Sequence, residues 1–187
     1  GKKAYDGIMA AYTAASRKNG KKYIPLIKNA TQLYVIEKGA LCGVVLDGSY
    51  NLTEANYKTS LQNMVDRVLI TDKDGNQIGV VEDTAAQQKY GVVQTVYKQE
   101  DGKDAQTEAK ALLQTLEQTG SVTGCQGDSR AVSGYALIVQ ETTTGLFGKF
   151  YIESDTHTFT DGKHEMALTL AFSNMMDEKE IENQSQG

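Results

Sequence analysis

The sequence has no tryptophan, a single proline (Pro25), two cysteines and two histidines. Each scarcity removes something. Without tryptophan there is no indole platform for a sugar ring to lie on, which weakens any glycan-cleaving reading. Cys42 and Cys125 stand outside any Cys-x-x-Cys or Cys/His spacing. Isolated cysteines of this kind suit a reducing compartment or plain core thiols, not a disulfide framework. No apolar run approaches the ~20 residues that a membrane-spanning helix needs, so no stable membrane insertion is expected. Positive charge is not in excess either. Nineteen Lys and Arg against 24 Asp and Glu give a net charge of −5, which offers no basic patch for nucleic acid.

What is present is ordinary for a globular chain. The 187 residues are 40% hydrophobic and 23% charged, enough for one sizeable core or two small ones. Eighteen glycines against one proline suit a turn-rich β protein that also contains helices. The basic N-terminal stretch carries Asp6 and a three-to-four spacing of apolar residues, which reads as an amphipathic helix and not as a signal peptide. The helix is predicted over 3–18, with Tyr5, Ile8, Met9, Tyr12 and Ala15 on one face and Asn19-Gly20 as its end. Residues 22–28 and 32–39 form a hairpin around Asn29-Ala30-Thr31, with Pro25 on an edge or bulge. Residues 1–40 thus make a small helix-plus-hairpin unit.

Residues 41–175 read as a β-rich domain with one inserted helix. A strand is predicted over 40–48, an irregular polar stretch over 49–64, and a hairpin over 66–83 turning at Lys73-Asp74-Gly75-Asn76. A short helical turn follows over 84–89 and a strand over 92–100. The clearest helix is 104–119, where Ala105, Ala109, Leu112, Leu113 and Leu116 share a face, Asp101 or Asp104 caps the start and Gly120 lies past the end. Strands over 121–128 and 134–141 lead to the strongest signal, a hairpin from Gly145 to Phe172 turning at Asp161-Gly162. In its second arm His164, Met166, Leu168, Leu170 and Phe172 alternate with polar or small residues. A two-residue loop pairs Thr160 with Lys163 and brings Tyr151, Glu153, Asp155 and His157 to that face. A three-residue loop pairs Thr160 with His164 and brings Phe150, Ile152, Ser154 and Thr156 instead. The second puts fewer charges on the apolar face and is the register expected. Residues 176–187 read as a charged, flexible tail. The fold class expected is α+β, with antiparallel hairpins forming barrel-like sheets.

Several constellations invite a chemical reading, and each has a plainer one. Gly127-Asp128-Ser129 matches the nucleophile block of one esterase family, yet it lies late in the chain, and the only Asp/His pair behind it, Asp155-Thr156-His157, has one intervening residue. A Gly/Asp/Ser turn needs no catalysis. Asp155, His157 and His164 could gather a metal only in the two-residue register, so they are expected as a polar solvent face. Glu153 and Asp155, ~7 Å apart as alternate strand residues, have the separation of paired glycosidase carboxylates. With 24 acidic residues, such pairs arise by chance. Asp72 to Asn76 looks faintly like a calcium loop, but its twelfth position is Asp83 and apolar strand residues flank it. No catalytic, cofactor-binding or metal-ligating residue is therefore assigned, and no cofactor is expected.

Three blocks carry a resemblance: AYDGIMAAYTAASRKNGKKY near the start, NMVDRVLITDKDGNQIGVVEDTAAQQKYGVVQTVYKQEDGKDAQTEAKALL in the middle, and GYALIVQETTTGLFGKFYIESDTHTFTDGKHEMALTLAF at the end. Together they cover more than half the chain and resemble XkdQ-type (PBSX-like) prophage tail proteins, related to the central hub of contractile-tail baseplates. The family members are longer, with an N-terminal β domain. The resemblance implies a non-enzymatic structural role: a hub connecting tail tube to spike, trimeric in the full-length protein. Its partners would be the spike, the tube and other baseplate proteins, in a virion tail assembled in the bacterial cytoplasm. The 120–175 strands would belong to the ring-forming barrel and 1–40 to a peripheral unit. Two other readings compete: a cell-wall hydrolase at a tail tip, and a small ligand-binding β domain. Leu146 and Phe147 interrupt the alternation. They mark either an exposed interface patch or a contact beneath a local loop.

Overall fold

A computed structural model describes residues 4–180. In chain order its elements begin with α1 (Ala4–Asn19), β1 (Tyr23–Lys28), β2 (Gln32–Glu37), β3 (Leu41–Asp47) and β4 (Glu54–Ser60). There follow β5 (Arg67–Thr71), β6 (Gln77–Glu82), α2 (Thr84–Tyr90), β7 (Gln94–Lys98) and α3 (Ala105–Ala111). The last four are β8 (Glu117–Gln126), β9 (Ala136–Glu141), β10 (Leu146–Thr160) and β11 (Lys163–Ala171). The class is α+β, as the sequence indicates, and the sheets are open rather than closed barrels. Two compact units divide the chain: Lys58–Gln118 is one, and the residues up to Tyr57 together with those from Thr119 onward are the other. Neither boundary falls at residue 40, where the sequence reading divides it.

In the larger unit, α1 ends where Gly20, at φ 72°, donates its N–H to Ser16 O at 2.7 Å, a left-handed cap that only glycine adopts without strain. The face it buries overlaps the one read from apolar spacing at Met9, with Ile8, Tyr12 and Ala15 half-buried, and is turned toward Ala10, Thr13 and Ser16. Met9, Ala10, Thr13 and Ser16 are covered, while Tyr5 is exposed. The reason lies at the far end of the chain. Thr13 Oγ1 donates to Met9 O at 2.8 Å and accepts the Lys179 N–H at 3.0 Å. Tyr5 Oη donates to Asp177 at 2.9 Å, Arg17 pairs with Glu180 and Lys22 with Glu178. These bonds lay residues 177–180 along α1; residues 181–187 of the charged tail lie outside the described residues.

β1 and β2 form their own antiparallel ribbon, with Asn29 and Ala30 at positive φ in the turn. Pro25 pairs with Val35, tolerable because both strands of a ribbon are edges. The main sheet has six strands in the order β3-β9-β10-β11-β8-β4. β3 runs parallel to β9, while β9, β10, β11 and β8 pair antiparallel. β4 falls inside 49–64, read as irregular; its residues Glu-Ala-Asn-Tyr-Lys-Thr-Ser bury almost nothing, so no apolar alternation announced an edge strand. The core on one face gathers Val44, Leu46, Leu137, Val139, Phe150, Ile152, Met166, Leu168 and Leu170. Burial of each large side chain stabilises by ~1.5–3 kcal/mol before entropy is counted.

The β10–β11 register corrects the expectation and also explains its appeal. Thr160 pairs with Lys163 and Phe159 with His164, the two-residue loop. Asp161, at φ 49°, and Gly162, at φ 74°, supply the two positive-φ positions of a type I′ turn. Further along, Ile152 pairs with Leu170, with a bulge between Ile152 and Ser154. Glu153 is the extra residue. The bulge returns Phe150 and Ile152 to the core face after Asp155 and His157 have occupied it near the tip.

The smaller unit is a three-stranded sheet, β6-β5-β7, with β5 and β6 antiparallel and β5 and β7 parallel. Asp83 caps α2 and Asp104 caps α3 by accepting from the first helical N–H groups. Here the helix read over 104–119 is corrected: α3 stops at Ala111. Gln114 N–H and O bond to Val65 O and N–H at 2.9 and 3.0 Å, and Glu117 opens β8. The backbone bonds that would continue the helix are spent on pairing. Ala109 is buried among Val68 and Ile70, Leu113 packs partly against them, and Leu112 is exposed.

Candidate functional site

Most of the residues weighed for chemistry are committed to local bonds. Asp128 receives Arg130 Nε and Nη2 at 2.9 and 2.6 Å and the Arg130 N–H at 3.0 Å. The Arg130 guanidinium and N–H hold its carboxyl down at about 2. It serves as the anchor of a turn, and Ser129 beside it is exposed. In the smaller unit Asp72 accepts from the N–H groups of Asp74 and Asn76 and from the Asn76 side chain, bonds that depress its carboxyl. That is the carboxylate of a hairpin turn, as the plainer reading has it.

Asp155, His157 and His164 do come together, because the two-residue loop puts them on one face. They are not the solvated face expected: the His157 and Asp155 side chains are 16% and 22% exposed. His157 Nδ1 lies 2.8 Å from His164 Nε2, and His157 Nε2 lies 3.1 Å from Ala131 O. Asp155 Oδ1 accepts the Ser133 N–H at 2.6 Å, and Oδ2 is 3.5 Å from His157 Nε2. Phe159 stacks on His164 with ring centroids 4.1 Å apart. Gly127 donates to His164 O at 2.8 Å. The four side chains and Gly127 thus pin the 127–133 loop onto the hairpin tip. The nitrogens of the two imidazoles point at each other rather than at a common centre, and no group of three or more His, Cys, Asp or Glu among the described residues is arranged to hold a metal ion. Glu153 sits at the bulge, exposed, whereas Asp155 is half-buried and bonded, so the two do not face one another across a cleft. Cys125 is buried, and burial pushes its thiol up to about 11, the behaviour of a packing residue and not of a nucleophile.

What remains uncommitted is apolar surface. Ile27, Leu33, Leu41, Val45 and Phe147 are exposed. They lie on the β1–β2 ribbon, on the edge strand β3, and at the start of β10. Leu146 and Phe147 divide between the two sequence readings: Leu146 is fully buried in the core, while Phe147 is 65% exposed. Apart from Phe147, sequence reasoning missed this set. An exposed residue in an alternating strand looks like its buried neighbour until the sheet order shows which strand is an edge. No helix of the described residues is long and apolar enough to cross a membrane.

Comparison with known proteins places the chain beside phage tail proteins. The chain is 27% identical over 192 residues to the phage-like element PBSX protein XkdQ of Bacillus subtilis strain 168, a match covering 93% of this chain and 56% of that protein. Its fold is similar to the 43 kDa tail protein of prophage MuSo2 from Shewanella oneidensis, with a TM-score of 0.58 at 12% identity over 86% of this chain and 51% of that one. A tail protein from Neisseria meningitidis MC58 is also similar, at 14% identity and a TM-score of 0.49 over 87% of this chain and 54% of that one. The chain thus spans little more than half the length of these relatives. The YQBQ-like family model matches residues 1–171, and the chain belongs to that family.

Proposed function

We propose that the chain is a structural component of a phage or prophage tail, part of a baseplate hub that joins the tail tube to the spike. The observation that carries this reading is the relation to XkdQ across nearly the whole chain. The main sheet, with two free edges and exposed apolar residues beside one of them, suits a protein whose work is to be joined to others. The commitment of Asp128, Asp155, His157 and His164 to turn and loop bonds favours a non-enzymatic role. Within the full-length protein the assembly is a trimeric ring, which requires each subunit to offer two different patches. Its other partners are the spike, the tube and neighbouring baseplate proteins, and its place is the virion tail.

The test is direct. Tails purified from an induced lysogen carrying an epitope-tagged copy should contain the protein in fixed stoichiometry, labelled at the tail end distal to the head. Absence from purified particles overturns the tail reading. Zymography on purified cell wall separates it from a hydrolase, since a cleared band lost in no surface variant but retained by the folded chain would establish enzymatic cleavage instead.

A further inference from the structure

Two hollows lie at opposite ends of β3. One, of about 620 Å³, is walled by Leu26, Leu41, Val132 and Tyr135, with Lys28 and Arg130 at its sides. Its lining residues include no carboxylate. Arg130 is neutralised in part by Asp128, so Lys28, whose Nζ stands 5.4 Å from the Tyr34 ring centre, sets the sign of the site. The other hollow, of about 470 Å³, is lined by Asp47, Glu141, Gln140 and the loop between β9 and β10, with Phe147 at its rim. It includes no cation. Both carboxylates are fixed in the charged form by their own turns. The hydroxyl and N–H of Thr144 bring Glu141 down to about 2, and Ser49 lowers Asp47.

Phe147 is built to stand out. It follows the core residue Leu146 and precedes Gly148, which has open space where a side chain would be. Most of its surface is open to solvent. The first hollow is within the ~300–1000 Å³ range that holds small organic groups, and its lining is mixed: Leu26, Leu41, Val132 and Tyr135 supply apolar wall, and Ser129 and Ser133 stand beside them. Both hollows belong to the same unit of the chain and flank the same unpaired edge. One end is apolar and basic; the other carries an exposed aromatic ring between two carboxylates.

We propose that these two ends dock onto each other in successive copies of this chain, with Phe147 of one copy seated in the Leu26–Tyr135 hollow of the next and Asp47 and Glu141 facing Lys28. The contact is heterologous, since the two patches differ, and repetition of it closes a ring or extends a filament. An aromatic anchor in an apolar pocket with opposite charges at the rim is the arrangement that concentrates binding energy and fixes register. This rests on the tail-assembly reading above, which it deepens by naming the surfaces.

The test uses the full chain in solution. Sedimentation equilibrium should show concentration-dependent self-association, and Phe147→Asp and Lys28→Glu should each weaken it by roughly tenfold or more. Both positions are at the surface, so folding is retained. Cys42 lines the receiving hollow and provides a geometric check. With diamide as oxidant, Phe147→Cys should give disulfide-linked dimers and higher species that disappear when Cys42→Ser is added. Phe159→Cys, equally exposed but on the other hairpin tip, should give none. A wild-type chain that stays monomeric overturns the proposal, as does unchanged association in Phe147→Asp or equal cross-linking from Phe159→Cys. A chain that is monomeric and yet incorporates into tails overturns this contact alone and points to a different tail protein as occupant; a chain missing from tails overturns the underlying reading.

Discussion

His157 and His164 share one hydrogen bond, 2.8 Å between Nδ1 and Nε2, and a backbone carbonyl decides its direction. Ala131 O can only accept, so His157 Nε2, 3.1 Å away, carries the proton. In the neutral ring His157 Nδ1 is then bare and accepts the Nε2–H of His164. The pair joins β10 to β11 across the turn and ties both to the 131–133 loop, where Asp155 adds its bond to Ser133.

The bond is testable as a coupling. His157→Ala and His164→Ala should each cost about 1 kcal/mol in urea unfolding, and the double variant should cost less than their sum by ~0.5–1.5 kcal/mol. Long-range proton–nitrogen spectra at neutral pH should show His157 as the Nε2–H tautomer. Additive losses, or the opposite tautomer, would mean that the two rings do not bond in solution.

Gly127 is required by close approach and not by its backbone angles. A Cβ there would lie 2.2 Å from the His164 ring, and the ring cannot withdraw without leaving His157. Gly127→Ala should therefore cost ~1–3 kcal/mol and, in the same spectra, shift the signals of both histidines. A variant as stable as wild type with unshifted histidines would show that the loop packs elsewhere.

The length of α3 makes a contrast between leucines. Leu168 is 2% exposed in the main core, and Leu168→Ala should cost ~2–5 kcal/mol. Leu112, at 38% exposure just past the helix end, should lose under about 1 kcal/mol on the same change. Similar losses at both positions would put Leu112 on a buried helix face and restore the longer helix.

Acid should act through Asp128 and Glu141. Both carboxyls are held at about 2 in the fold, by Arg130 and by the threonine hydroxyl and N–H groups respectively, against ~3.9 and ~4.3 for free side chains. A depressed carboxyl contributes its stabilisation in full above the free value and loses it as pH falls toward the folded one. The loss should thus appear between about pH 4.3 and 2. Glu141→Gln, measured by the urea midpoint across that window, should flatten the slope while leaving the behaviour above it parallel to wild type. A slope unchanged by the substitution would mean that Glu141 does not hold the Thr142–Thr144 turn.

Local pattern made the hairpins legible, and long-range partners account for what it missed. Asp161-Gly162 and the alternation from His164 to Phe172 announce β10 and β11 because every signal needed is within the hairpin. The register near the tip is not, since it depends on Ala131 and Ser133, some twenty residues upstream, accepting and donating to residues that otherwise count as misplaced charge. α1 shows the same thing: its apolar spacing marks the helix, but Thr13 is buried and bonded to Lys179, whose position only the fold reveals. Leu112, Leu113 and Leu116 keep a helical period past Ala111, where the helix ends because Val65 captures the backbone of Gln114. At the surface, Phe147 is conspicuous in the sequence, while the hollow of Leu26, Leu41 and Tyr135 is drawn from three distant segments and has no linear signature.

The bulge at Glu153 separates two parts of one strand that would otherwise have to agree. Upstream of it, β10 answers to the core; beyond it, the hairpin tip answers to the turn and the 127–133 loop. Deleting Glu153 would force a choice: a tip turned inside out, with His157 and Phe159 moved to the opposite side, or a turn widened by one residue. Keeping it lets the tip accumulate substitutions without disturbing the phase of Phe150 and Ile152. The bulge works as a clutch between a close-packed interior and a separately bonded end.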